Sequence, residues 1–326
     1  MGLFKVDLAR PESLARLIQL LKPCAPFCLP ILGTVFHSWP CRSSADAETL
    51  TRLHLWLSFE LDSPEVPALF SAIVLSPVDN NQARYFCSVD ATPEKPTPDE
   101  KNHVSEFIEA FLRAVDAELG LSSSINMIVG SDPPTRTGIL VGSIHDKWVD
   151  TLSLIALGNG GCTKYLLPPL TSRSSPPATD DRRLPEDLTI SQLEPSDIPI
   201  LKSASAIPHA DEYYTSRCDM SVCIRTNIEG SPSLPVAWAF PHADGSIGGL
   251  YVQPQFRAKG LAQQVIEAAV DRLRMGEREE EHGGALGWNW VDVMENNASG
   301  ERLFERMAGA GWKAGWKCNW MMLKFP

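Results

Sequence analysis

Leu250-Tyr251-Val252-Gln253-Pro254-Gln255-Phe256-Arg257-Ala258-Lys259-Gly260-Leu261-Ala262 is the stretch that decides how this chain folds. An apolar run ends at Val252, and Pro254 interrupts the chain. From Leu261 the apolar residues Leu261, Val265, Ile266, Ala269, Val270 and Leu273 recur with the spacing of one helix face. The segment therefore reads as a strand, a short turn and a helix. The first amides of a helix have no intrahelical partner, and the helix dipole leaves partial positive charge there. Phosphate groups are well satisfied at such a place. Gly260 lets the backbone approach a bulky anion, Ala262 keeps the first turn open, and Arg257 and Lys259 add positive charge. The expected anion-binding segment is Tyr251 and Val252, followed by Arg257, Ala258, Lys259, Gly260, Leu261 and Ala262.

Strand patterns flank this stretch on both sides. Val222–Arg225, Val236–Phe240 and Ile247–Val252 precede the turn, and Trp288–Met294 and Trp316–Leu323 follow it. Ser196–Asp219 reads as helical in pieces. Ala298–Ala310 reads as a helix, opened by Asn297-Ala298-Ser299-Gly300-Glu301-Arg302-Leu303-Phe304 and followed by Gly311-Trp312. In the amino-terminal half, an amphipathic helix is expected from Pro11, with Leu14, Leu17, Ile18 and Leu21 on one face. Strands are expected over Phe27–Phe36, Arg52–Leu61, Ala68–Leu75 and Ala83–Val89. Val104–Glu118 carries helical spacing, after a polar, proline-rich loop over Ala91–Lys101. The clearest break lies between Leu166 and Leu188, with Pro168, Pro169, Pro176, Pro177 and Pro185 among serines and charges. Prolines deny helix and central strand, and the polar residues offer nothing to bury. The expected domains are 1–167 and 188–326, joined by a linker over 168–187.

Composition narrows the function classes. A chain of 326 residues with 44% hydrophobic and 21% charged residues has room for two globular domains. Its net charge of −11 argues against sequence-independent nucleic-acid binding, which needs a basic face. No apolar run is long enough to span a bilayer, and Met1–Lys22 lacks a signal-peptide layout. A cytoplasmic protein without a membrane partner is the expectation. The eight cysteines, Cys24, Cys28, Cys41, Cys87, Cys162, Cys218, Cys223 and Cys318, form no CxxC pair and lack histidines at zinc spacing. They are expected as buried or free thiols, and no metal is expected.

The turn at 250–262 resembles motif A of the GNAT acyltransferase superfamily, Gln/Arg-x-x-Gly-x-Gly/Ala, which Arg257, Gly260 and Ala262 match. The segment from Asn297 to Phe304, with Gly311-Trp312, resembles that superfamily's Asn-x-x-Ala-x-x-Leu-Tyr and Gly-Phe pattern. Three further patches are Ser221-Val222-Cys223-Ile224-Arg225, Pro235-Val236-Ala237-Trp238 and Gly245–Arg257. With Leu32-Gly33-Thr34-Val35-Phe36-His37 in the first half, they look like the glycine N-acyltransferase-like family, whose carboxyl-terminal domain is FR47-like. The resemblance implies an α/β protein with a mixed sheet. It implies two tandem GNAT-like domains, the first degenerate and the second binding acetyl-CoA or another acyl-CoA. Asn297 and Ser299 would then touch the pantetheine or thiol end of that molecule, and His37 would be structural.

The implied reaction is direct transfer of an acyl group to the amine of a small molecule, such as an amino acid. A base removes the amine proton, and a backbone N–H near Tyr251 and Val252 polarises the thioester carbonyl. The side chains depart from the pattern. The family's glutamate base falls at Ser246, two residues after Asp244, and its tyrosine acid falls at Phe304. Asp244 and Ser246 are the candidate catalytic residues, although Asp244-Gly245 is also a turn dipeptide. His242 in the same loop is a further candidate base, and the tryptophans Trp238, Trp288, Trp290 and Trp316 are candidates for an acyl pocket. Two rival readings remain open: an acyl-CoA-binding protein without transfer, and a protein lysine or N-terminal acetyltransferase whose acidic surface attracts basic tails.

Overall fold

The computed structural model describes residues 2–37, 53–77, 81–120, 138–170, 184–205, 209–227, 233–275 and 278–326. The described strands are β1 (Phe4–Val6), β2 (His54–Leu57), β3 (Ser71–Ser76), β4 (Gln82–Cys87), β5 (Gly138–His145), β6 (Ala156–Leu167), β7 (Leu188–Ser191), β8 (Val222–Thr226), β9 (Pro235–Pro241), β10 (Ile247–Val252), β11 (Asn289–Met294) and β12 (Lys313–Lys324). The described helices are α1 (Pro11–Leu21), α2 (Leu29–His37), α3 (Pro98–Leu119), α4 (Val149–Leu152), α5 (Ile198–Ala204), α6 (Asp211–Thr215), α7 (Leu261–Leu273) and α8 (Ala298–Arg306). None of them is long and apolar enough to cross a membrane.

The chain forms two compact units, and they do not follow the two halves of the sequence. The first comprises Met1–Lys164, Val293–Asn296 and Gly315–Pro326; the second comprises Tyr165–Asp292 and Asn297–Ala314. Of the linker expected over 168–187, residues 171–183 lie outside the described residues. Periodicity locates elements along the chain, but it does not say which unit a strand joins. The last strand, β12, illustrates this, because most of it belongs to the first unit.

The sheet of the first unit runs β1-β2-β3-β4-β5-β12-β6-β11, and the end of β11 contributes Val293 and Met294 to this unit. Strands β1 to β4 pair antiparallel in sequence order, β4 runs parallel to β5, and β5 pairs antiparallel with β12. Helix α3 lays Val104, Phe107, Ile108, Phe111, Leu112 and Val115 on this sheet, as its spacing predicts. The Trp56 and Phe111 rings meet edge to face at 5.4 Å, and each buried side chain of this size contributes roughly 1.5–3 kcal/mol. The helix begins earlier than the apolar spacing suggests. Thr97 accepts from the Glu100 amide, and Glu100 accepts from the Thr97 amide, so a capping box starts it at Pro98, inside the expected loop.

One expected strand is a helix. Phe27–Phe36 is apolar apart from Thr34, but Leu29–His37 folds as α2, with all nine of its residues buried. A helix apolar on every side shows no 3.6-residue stripe, so a short apolar run cannot be told from a buried strand by periodicity. The expected strand over Arg52–Leu61 is described as β2 only at His54–Leu57. Both faces are covered there, since Leu55, Trp56 and Leu57 are all buried. This explains why Trp56 breaks the alternation.

A buried polar network fixes the loop after β4. Asp90 accepts from the Cys87 amide at 3.0 Å and from the Trp148 indole at 2.6 Å. Burial favours the neutral acid and pushes the Asp90 carboxyl up to about 6, against the pull of those donors and of Lys147. The native chain therefore binds a proton that the unfolded chain releases near the ordinary aspartate value of ~3.9. Stability from this group is fully present below that value and is lost as pH rises through about 6. The unfolding free energy of the wild type minus that of Asp90→Asn is expected to fall by roughly 2–3 kcal/mol from pH 4 to pH 7. Urea titrations at several pH values measure this, and a difference that is flat or rises with pH contradicts it.

In the second unit a buried ion pair ties the start of α5 to the sheet. Arg225 on β8 makes a two-pronged contact with Asp197, and its guanidinium also donates to Ser191 Oγ at 2.9 Å and Gln192 O at 2.9 Å. Asp197 further accepts from the Glu194 amide at 2.7 Å. Removing one partner strands a buried charge, so Asp197→Ala should cost ~3–5 kcal/mol in chemical unfolding. The double variant Asp197→Ala, Arg225→Met should recover part of that loss, and strictly additive costs would contradict the pairing.

Candidate functional site

The four-stranded sheet of the second unit has the order β10-β9-β8-β7, antiparallel throughout. Helix α7 packs on β8, β9 and β10 through Leu261, Val265, Ile266, Ala269, Val270 and Leu273. Strand β10 is the edge of this sheet, and the next strand in sequence, β11, is not among its hydrogen-bonded neighbours. Its pairing with β9 slips between Gly248 and Tyr251: Gly248 faces Phe240, yet Tyr251 faces Trp238. One extra residue therefore sits on β10, a bulge that bends the strand and re-aims its backbone groups. Gly249, at φ +59°, accommodates the turn, and the Phe240 ring occupies the place its Cβ would take.

The turn from β10 to α7 follows the sequence reading closely. Pro254–Phe256 makes one 3-10 turn, Arg257 is extended, and Ala258 and Gly260 both adopt left-handed backbone at φ +61° and +79°. Gly260 is the N-cap of α7, and no side chain caps that helix start. A Cβ on Gly260 would meet no atom within 4 Å, so the space in front of the helix is open. Arg257, Ala258, Lys259 and Gly260 are exposed, Ala262 is half-buried and Leu261 anchors the helix in the core. The Arg257 guanidinium is held close to the turn: Nε donates to Val252 O at 3.0 Å, and the group lies 5.7 Å from the Tyr251 ring centre. Tyr251 stacks on Trp238 at 5.0 Å. The geometry thus brings together uncapped amides, an open approach and two cations.

The other expected residues have well-defined local roles. Asp244 and Ser246 are both buried and hold one another: Asp244 Oδ1 accepts from the Ser246 amide at 3.1 Å and from Ser246 Oγ at 2.6 Å. They shape the β9–β10 hairpin turn, closed by His242 N donating to Ser246 O and Gly245 N to His242 O. Proton transfer by either would require that turn to open. Asn297 caps α8, with Oδ1 accepting from the Gly300 amide at 3.0 Å, and Ser299 is exposed in the first turn. Phe304 is buried between Tyr165, at 5.2 Å, and Trp312, at 4.9 Å. Of the expected acyl-pocket tryptophans, Trp238 lies in the second unit's core and Trp316 stacks on Phe27 in the first unit.

Residues that sequence reading did not bring together meet over the hairpin. Tyr213 on α6 hydrogen-bonds His242 Nδ1 at 2.5 Å. Tyr213 itself stacks on His209 at 3.8 Å and carries the Arg217 guanidinium 3.7 Å from its ring centre. Tyr213 precedes His242 by 29 residues, and no local pattern signals the contact. On β11, Asn289 is fully buried with neither amide atom hydrogen-bonded among the described residues, an uncommon state for a native polar group. Among the described residues no group of His, Cys, Asp or Glu is arranged to hold a metal ion. Seven cysteines are free thiols, six of them buried, and Cys41 lies outside the described residues.

The FR47-like family model ("FR47-like protein") matches residues 228–321, the span containing the hairpin, the turn and α8. No curated protein matches the sequence. A Drosophila protein of known crystal structure aligns over 96% of this chain and 96% of its own, with 13% identity and a TM-score of 0.59. A tandem GNAT protein from the clavulanic acid biosynthesis pathway, solved without AcCoA, aligns over 100% of this chain and 99% of its own, with 10% identity and a TM-score of 0.51. At such identities the likeness speaks to the fold. Residues 228–321 thus match the FR47-like model, and over its whole length the chain shares the fold of that tandem GNAT protein.

Proposed function

We propose that this protein transfers an acyl group, acetyl first among candidates, from acyl-CoA to the amine of a small molecule such as an amino acid. The observation that carries this reading is the start of α7. Its amides are uncapped by any side chain, Gly260 leaves open space before them, and Arg257 and Lys259 stand exposed beside it. Such a cradle suits a pyrophosphate, because fixed N–H dipoles and two exposed cations lie beside the same open space. Tyr251 and Val252, just past the bulge, supply backbone on an edge strand for the thioester end. Polarising that carbonyl with a preorganised N–H needs no particular side chain. The amine then attacks the carbonyl carbon, and CoA leaves as a thiolate that needs little help from an acid. Phe304 in place of a tyrosine is thus no obstacle to transfer.

A second reading, acyl-CoA binding with little or no transfer, is favoured by the way Asp244 and Ser246 hold each other in the turn. Turnover separates it from the first reading: a binding protein releases no CoA thiol with any amine.

Isothermal calorimetry tests the cradle. Wild type is expected to bind acetyl-CoA, and Gly260→Glu to bind at least ~100-fold more weakly, about 2.7 kcal/mol, because it sets a carboxylate where phosphate would sit. The melting temperature of the variant should fall by a few degrees, because a residue with a Cβ is strained by roughly 1–2 kcal/mol at φ +79°, although its side chain meets open space. Equal affinities, or no binding to either protein, would sink the proposal. Asn297→Ala should cost ~1 kcal/mol of unfolding free energy through the lost cap. A several-fold loss of acetyl-CoA affinity in that variant would assign Asn297 a ligand contact as well, and unchanged affinity would leave it a cap alone.

A further inference from the structure

We propose that His242, positioned by Tyr213, is the base that takes the proton from the attacking amine; this rests on the transferase reading above. The argument starts from the hairpin register. Ile247 pairs with Pro241 and Gly248 with Phe240, and His242 N donates to Ser246 O, so His242 lies opposite Ser246. Side chains alternate across a ladder, which puts positions 242, 246 and 248 on one face. At position 248 that face has no side chain. A Cβ on Gly248 would lie 1.8 Å from His242 Nε2 and 2.8 Å from Cε1, so the imidazole lies directly over the β10 backbone. It does so where the bulge begins, between Gly248 and Tyr251. The ring nitrogen therefore borders one side of the bulge whose other side, at Tyr251, would present an N–H to the thioester.

The pair has the chemistry for the task. Imidazole is the side chain whose ordinary protonation equilibrium falls near neutral pH. When Nδ1–H donates to the Tyr213 hydroxyl oxygen, the lone pair resides on Nε2, the nitrogen that faces Gly248. The Tyr213 ring is held in position beside Nδ1. It is stacked on His209 with only 9° between planes, and Arg217 lies against it while donating to the Tyr213 carbonyl at 2.8 Å. Of the titratable and charged groups among the described residues, Tyr213 touches the imidazole, His209 and Arg217 lie against Tyr213, and Asp244 sits in the same hairpin turn. Tyr213 acts through His242 and is a positioning residue.

The step balances without a co-reactant. An ammonium acceptor gives one proton to Nε2 and becomes an amine. Its nitrogen forms the C–N bond at the thioester carbonyl, the C–S bond breaks, and CoA departs as thiolate. The second proton, shed by the new amide nitrogen, ends on the thiolate, and the imidazolium returns its own proton to water. The products are an amide, CoA thiol and one proton.

The test measures CoA thiol release from acetyl-CoA across pH, with whichever of glycine, glutamine and phenylethylamine wild type acylates fastest. His242→Asn should bind acetyl-CoA within about two-fold of wild type by calorimetry, yet lose ~100-fold in kcat, the scale of a general base. Its kcat/KM profile should lose the acid limb. In His242→Gly, added imidazole should restore part of the rate, which a misfolded variant would not allow. Tyr213→Phe should lower kcat by roughly ten-fold, with KM for acetyl-CoA unchanged and the acid limb displaced. Wild-type kcat and an intact acid limb in His242→Asn would overturn the assignment and leave the transferase reading standing. If wild type binds acetyl-CoA but acylates none of these amines, the base assignment and the transferase reading fall together, and the binding reading takes their place.

Discussion

The sheet of the first unit depends on a strand made last. Strand β12 lies between β5 and β6, and its antiparallel ladder with β5 runs from Cys318 opposite His145 to Lys324 opposite Gly138. Without it, β5 would expose a row of unpaired backbone groups in the middle of the sheet, where each costs as much as a lost hydrogen bond. Met321 and Leu323 also fill the core beneath α3. The first unit is therefore incomplete until the carboxyl-terminal residues are in place, and its ladder joins residues far apart in sequence. Loop-closure entropy must be overcome before such a pairing is rewarded, a constraint that local propensity cannot relieve.

In the second unit the governing feature is a strand that leaves its ladder. Strand β10 is an edge with one extra residue between Gly248 and Tyr251, and the helix that follows begins at a left-handed glycine. Neither feature favours stability. Gly260 and Ala258 hold backbone that most residues resist, and the helix start goes without a capping side chain. Local departures of this kind tend to collect where a ligand has to be met. The rest of the unit is conventional by comparison: α7 buries a regular apolar face, and Arg225 and Asp197 neutralise each other in the core.

The glycines of β10 link the hairpin to its chemistry. At Gly248 the missing Cβ admits the His242 imidazole, and at Gly249 it admits the Phe240 ring. Two aromatic rings, one from β9 and one from the residue just after it, thus lie over a neighbouring strand that any larger residue would keep at a distance. Tyr213, held between His209 and Arg217, then sets the imidazole from the helix side.

Some of this was written in local sequence. The bounds of α1, β10 and α7 follow from proline placement and apolar spacing, and the glycine turn at Arg257–Gly260 lies where the strand-to-helix change requires it. These features depend on residues only a few positions apart, which is why periodicity finds them. The nature of Leu29–His37 was hidden, because a segment buried on every side carries no stripe. Strands β5 and β6 also escaped notice; β6 contains Gly158, Gly160 and Gly161 and is held by its neighbours more than by propensity. The sequence by itself determined a helix start suited to an anion and the order of elements around it. Only the tertiary structure decided that β12 completes the first unit, that Asp244 and Ser246 close a turn, and that Tyr213 meets His242. Those outcomes are contacts between residues distant along the chain, or exact fits of side chains to backbone, and neither leaves a local signal.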